Sequence, residues 1–149
     1  MRKERLQTED IMAFVVGMHY PLALERYMAA RYNVIIHRVP EVNTLLQRTF
    51  GVLLYIEDLI AICHLGGINK KDARLFCSYE YLSLNERERL KKNFIEGFMK
   101  LGYSGESVDS LFRIIAYTSC ECLKREYVAA CVKNYIKQTA QMMFCLKSK

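Results

Sequence analysis

No run of 18 or more uninterrupted apolar residues occurs in this 149-residue sequence, which excludes a spanning helix. Behind the N-terminal MRKERLQTED there is no apolar stretch of signal-peptide type, because Glu9, Asp10, His19 and Pro21 interrupt the pattern, so a cytoplasmic chain is expected. The six cysteines contain a C-x-C but no C-x-x-C pair, and most lie in apolar helical patterns; they read as small hydrophobes in a reducing compartment. Cys120 and Cys122 stand two apart, about 200° around a helix, which makes a poor pair of metal ligands. The three histidines, His19, His37 and His64, are scattered and lack an H-E-x-x-H spacing. Glycines at 66, 67, 102 and 105 build neither G-x-G-x-x-G nor a phosphate loop. Catalysis, a metal site and a cofactor are therefore not expected. Internal repeats, low-complexity tracts and sustained period-two alternation are also missing.

What is present is apolar and helical. Hydrophobic residues make up 52% and charged residues 26%, the range of a folded globular chain, and the length suits a single domain over residues 1–149. The net charge is +6. Its densest cluster, Arg87 to Lys92, is interleaved with Glu86 and Glu88, the pattern of a solvated helix face more than of a nucleic-acid patch.

Thr8 suits the cap of a first helix, with Glu9 and Asp10 in its opening turn and an apolar face of Ile11, Phe14, Val15 and Met18. Pro21 should interrupt it. A second helix is expected over 22–37, although Val34, Ile35 and Ile36 leave its end open. Pro40 suits a first helical position, and apolar residues recur at three and four from Val42 through Cys63, which predicts one long helix bent near Gly51 and stopped by Gly66 and Gly67. Ser83 and Glu86 match a capping box for a helix whose face is Leu90, Phe94, Phe98 and Leu101, ended by Gly102. Ser107 should cap the next helix, apolar around most of its circumference and so placed in the middle of a bundle. A last helix spans 128–146. The fold expected is all-α, a helical bundle around a central hydrophobic helix.

Arg113 is the anomaly in that central segment, SVDSLFRIIAYTSCECLKRE. An unpaired buried guanidinium costs several kcal/mol, so Arg113 must snorkel to solvent, pair internally, or stand at the edge of a groove awaiting a partner's carboxylate.

RIIAY at 113–117, preceded by VDSLF, resembles the first homology region of the Bcl-2 family, where N-W-G-R leads into an I-V-A-F helix. TEDIMAFVVGMHY resembles that family's opening helix, PEVNTLLQRTFGVLLYIEDLI lies where the second helix falls, and 84–101 where the fourth does. The chain departs from the pattern in having Leu111-Phe112 where the family has Trp-Gly, no Trp at all, and only an imperfect BH3-like segment in LLQRTFG. Such divergence resembles the virus-encoded, pro-survival members.

The resemblance implies a Bcl-2-like bundle that inhibits apoptosis by sequestering BH3 helices of pro-apoptotic proteins in a surface groove. Arg113 would pair with the ligand's Asp, and Asp109, or Ser110 beside it, would supply the family's polar contact. The walls would come from Val52, Ile56 and Ile60, from Phe98 and Leu101, and from Leu111 and Ala116, each equally readable as ordinary core. Phe112 would narrow the groove, restrict which BH3 segments fit, or turn inward and leave the groove open. A homodimer stays open, as does recruitment to mitochondria through partners. Two other readings stand beside this one: a Bcl-2-fold viral modulator of innate immune signalling acting through a non-groove surface, and a small helical nucleic-acid-binding protein, motivated by the net charge.

Overall fold

The computed structural model describes residues 5–147 and is all-α. Its α-helices are α1 (Thr8–His19), α2 (Pro21–Tyr32), α3 (Pro40–Leu45), α4 (Ile56–Leu65), α5 (Lys70–Leu75), α6 (Leu84–Met99), α7 (Gly105–Thr118) and α8 (Arg125–Lys147), with 3-10 turns at Gln47–Thr49, Phe76–Tyr81 and Ser119–Glu121. Among the described residues there is no β-strand, and no helix is long and apolar enough to cross a membrane.

The cap of α1 is Gln7, one residue before the expected Thr8, because the Asp10 carboxylate reaches back to accept the Gln7 N–H at 2.7 Å. Asp10 is itself buried. It accepts the Tyr27 hydroxyl at 2.6 Å and pairs with Arg31 at 3.3 Å, so a carboxylate inside the protein is charge-compensated and fully bonded. Satisfying Asp10 turns the helix so that Met12, Ala13 and Val16 enter the core, while Phe14 and Met18, expected there, face out. Pro21 does separate α1 from α2. The second helix stops at Tyr32 instead of running to His37; β-branched Val34, Ile35 and Ile36 continue outside it, and the Ile35 N–H donates to the Phe50 carbonyl.

The predicted long helix over 40–63 is three pieces. After α3 and its 3-10 turn, Phe50 and Gly51 take positive φ, 56° and 89°, and the chain then runs extended through Val52, Leu53, Leu54 and Tyr55 before α4 begins. Gly51 is required here: a Cβ would overlap the Ile35 carbonyl oxygen. All four extended residues are buried, which no single helix face permits. Val52, Leu54 and Tyr55 point into one apolar cluster and Leu53 into the other, so the segment is covered from both sides. Part of its backbone is paired: Val52 N–H donates to Thr49 O, Leu123 N–H to Leu54 O at 3.1 Å and Ile56 N–H to Leu123 O at 3.0 Å, the last two forming an isolated parallel bridge between Tyr55 and Leu123.

The two clusters define the architecture. One joins α3 through α7 around Phe76, Phe94, Phe98 and Phe112; the other joins α1, α2 and the first turns of α8 around Tyr27, Tyr55, Val128 and Val132. In the first, α6 follows expectation closely: Ser83 Oγ accepts the Glu86 N–H, and Leu90, Phe94 and Phe98 are buried. Leu101 falls beyond the helix end and is exposed. Gly97 lies so close to the Gly66 carbonyl that a methyl group would overlap it, which fixes how α6 crosses the end of α4. Charged ties close the second cluster: Arg125 grips Glu9 with bonds of 2.6 and 3.1 Å, its backbone N–H donates to Glu57, and its guanidinium covers the Tyr55 ring.

Glycine to alanine normally favours a helix interior by about 1 kcal/mol. Gly97→Ala is expected to do the reverse, lowering stability by about 1–3 kcal/mol in urea unfolding, because α4 and α6 must separate.

A pH effect follows from Asp58, whose carboxyl burial pushes up to about 6, with Arg48 and Arg125 opposing. A carboxyl raised in the folded state binds more protons there than in the unfolded chain between about pH 4 and pH 6, so its contribution is present below that window and lost as pH rises through it. Asp58→Asn should remove this part of the pH dependence and stabilise the protein above pH 7, by on the order of 2 kcal/mol. Urea unfolding from pH 4 to pH 8 checks it.

Candidate binding face on α7

Ser104, not Ser107, caps α7; its Oγ accepts the Ser107 N–H at 3.2 Å. From there the helix is amphipathic and is not enclosed on all sides as its composition suggests. Val108, Leu111, Phe112 and Ile115 are buried, while Asp109, Arg113 and Tyr117, at i, i+4 and i+8, run along the opposite side. Ile114 beside them is also open to solvent. The apolar count overestimated burial because Ile114 and Tyr117 are apolar residues spent on the surface.

Arg113 snorkels. Its side chain is 77% exposed, and Nε meets Asp109 Oδ2 at 2.9 Å. Asp109 also receives Lys91 Nζ at 3.7 Å, so the carboxylate is shared between α6 and α7. An exposed i, i+4 pair of this kind contributes about 0.3–0.5 kcal/mol, which a competing carboxylate can replace at little cost.

Arg113 and Tyr117 separate two open depressions. The first, about 450 Å³, is lined by Ile35, Val52, Leu53, Ile114 and Thr118 together with Arg26 and His37, and is largely apolar. His37 is fixed there by Nε2 against the Gly51 carbonyl at 2.8 Å and by a two-way clasp between its backbone and Asn43. Arg26 is ion-paired to Glu121. The second depression, about 370 Å³, is lined by Tyr79, Glu80, Arg87, Phe112 and Ala116.

The sequence-derived positions therefore divide. Arg113, Asp109, Phe112 and Ala116 come together on α7, and Val52 reaches the first depression. Ile56 and Ile60 are partly buried on α4, packed on the first core cluster, and Leu111 is inside it. Phe98 is fully buried and shares a separate pocket of about 320 Å³ with Leu101, Val39 and Tyr103. The structure does not bring these five residues to Arg113. Phe112 turns inward: its ring lies 5.7 Å from Phe94, 5.9 Å from Phe76 and 6.0 Å from Tyr79, all edge-on.

Arg26, Ile35 and His37 were missed because long-range chain reversal at Gly51 brings them to α7. Tyr117, at i+4 from Arg113, was visible in the spacing.

Among the described residues no group of three or more His, Cys, Asp and Glu side chains is placed to hold a metal ion. Burial pushes the Cys63 thiol up to about 12 and that of Cys122 well above its ordinary value, so neither is an available thiolate. No protein-family model, curated protein or solved structure matches the chain.

Because Phe112 is a core residue of the aromatic cluster, Phe112→Ala should cost about 3–5 kcal/mol of stability, read by chemical denaturation.

Proposed function

We propose that the chain is a non-catalytic, Bcl-2-like binding module that holds amphipathic BH3 helices of pro-apoptotic proteins and inhibits apoptosis by sequestering them. One observation carries the reading: an exposed arginine, only weakly tied to Asp109, stands between two depressions on one helix, the larger of them mainly apolar. An amphipathic helix needs apolar recesses for its face and a cation for its acidic residue. Ile35, Val52, Leu53 and Ile114 supply the first and Arg113 the second.

A second reading draws on the separation of Ile56, Ile60, Phe98 and Leu101 from Arg113. A groove in the position implied by the resemblance would then be closed, and the protein would act as a Bcl-2-fold viral modulator of innate signalling through another face.

Calorimetric titration with a panel of BH3 peptides separates the two. Submicromolar binding to a member of the panel, weakened at least tenfold (about 1.4 kcal/mol) by Arg113→Ala, is the expected result. The variant should unfold within about 0.5 kcal/mol of the parent, since the lost pair is exposed. A folded protein that binds no peptide favours the second reading.

A further inference from the structure

Only the first turns of α8 belong to the body of the protein. Val128 and Val132 are buried against α1, and from residue 133 to residue 147 every position is exposed. The apolar line does not stop where the body stops. Tyr135 and Ile136, and then beyond Thr139 Met142, Met143 and Leu146, continue it on the same side of the helix, these five apolar residues between 55% and 71% exposed. Lys133, Lys137 and Lys147 lie around the other side of the helix, where Phe144 is also exposed, and between residues 127 and 147 the sequence contains no Asp or Glu.

We propose that the outer half of α8 is a membrane-surface helix that lies on anionic phospholipid, with its methionine-rich stripe in the acyl boundary and its lysines at the headgroups. The stripe supplies apolar area and the lysines supply attraction without an opposing carboxylate, the combination such helices need. Lysine stems on the polar side are long enough to carry their ammonium groups toward headgroup phosphate. A second copy is a poorer occupant. The free stripe is about three turns long, short of the roughly 800 Å² per partner of a stable interface, and pairing two such helices brings lysines together with nothing to neutralise them.

The test is co-sedimentation of the full chain with phosphatidylcholine vesicles, with and without phosphatidylserine. Binding is expected to the anionic vesicles only, to weaken as salt rises, to disappear in the Ile136→Glu, Met143→Glu double variant, and to fall roughly fivefold for each of Lys133→Gln and Lys137→Gln. All four positions are exposed, so thermal unfolding should match the parent. Failure of the folded chain to sediment with anionic vesicles overturns the proposal. So does equal binding to neutral vesicles, or a dimer in light scattering that Ile136→Glu dissolves. None of these readouts depends on the peptide-binding face of α7.

Discussion

The backbone of four buried residues, Val52 to Tyr55, is the constraint on which the rest of the fold turns. An extended segment inside a helical protein leaves its N–H and C=O groups without intrahelical partners, and each orphan would cost about 1–3 kcal/mol. The segment is accommodated by neighbours on every side: Leu123 bonds to Leu54 and Ile56, Thr49 Oγ1 donates to Val52 O, and His37 holds the Gly51 carbonyl. Each of these bonds also places something else. Leu123 fixes where α8 starts, His37 fixes the wall opposite α7, and Tyr55 supplies the ring under Arg125. The division into two apolar clusters is a result of this segment passing between them.

Charge is used in two distinct ways in the structure. Asp10, Glu9 and Arg125 are largely withdrawn from water and hold several bonds each, so removing one partner strands the other in a poor solvent. Arg113 has one local partner and open water around it. The first kind orders α1, α2, α4 and α8; the second leaves a cation free to exchange. That contrast separates a structural arginine from a solvent-facing one better than sequence context does, since both Arg113 and Arg26 sit among apolar neighbours.

Legibility in the sequence followed locality. The α6 start and face were readable because Ser83, Glu86, Leu90, Phe94 and Phe98 interact within one helix or with whatever core it meets. Residues 40–63 were not, because Val52 and Leu53 satisfy a three-to-four spacing with Ile56 and Leu59 by coincidence, while Gly51 and a bridge to Leu123 break the helix between them. The α1 face was misjudged by treating Asp10 as a surface cap; its burial against Tyr27 and Arg31 rotates the helix. On α7, the exposure of Arg113 is the snorkelling alternative realised. The walls around it were not legible, since Ile35 and His37 reach it only through the reversal at Gly51.

The bridge between Tyr55 and Leu123 also sets an order of assembly. The cluster of α3 to α7 lies within a continuous stretch of chain, whereas the other closes only when α1 and α2 meet Val128 and Val132, across more than half the sequence. Loop-closure entropy makes such contacts late ones. During synthesis, α1 and α2 can pair with each other and meet Phe50 and Val52 to Tyr55, but the cover from Val128 and Val132 is missing until residues near 130 have left the ribosome. The N-terminal helices are thus a half-core held in waiting, and the first turns of α8 are the latch that completes it.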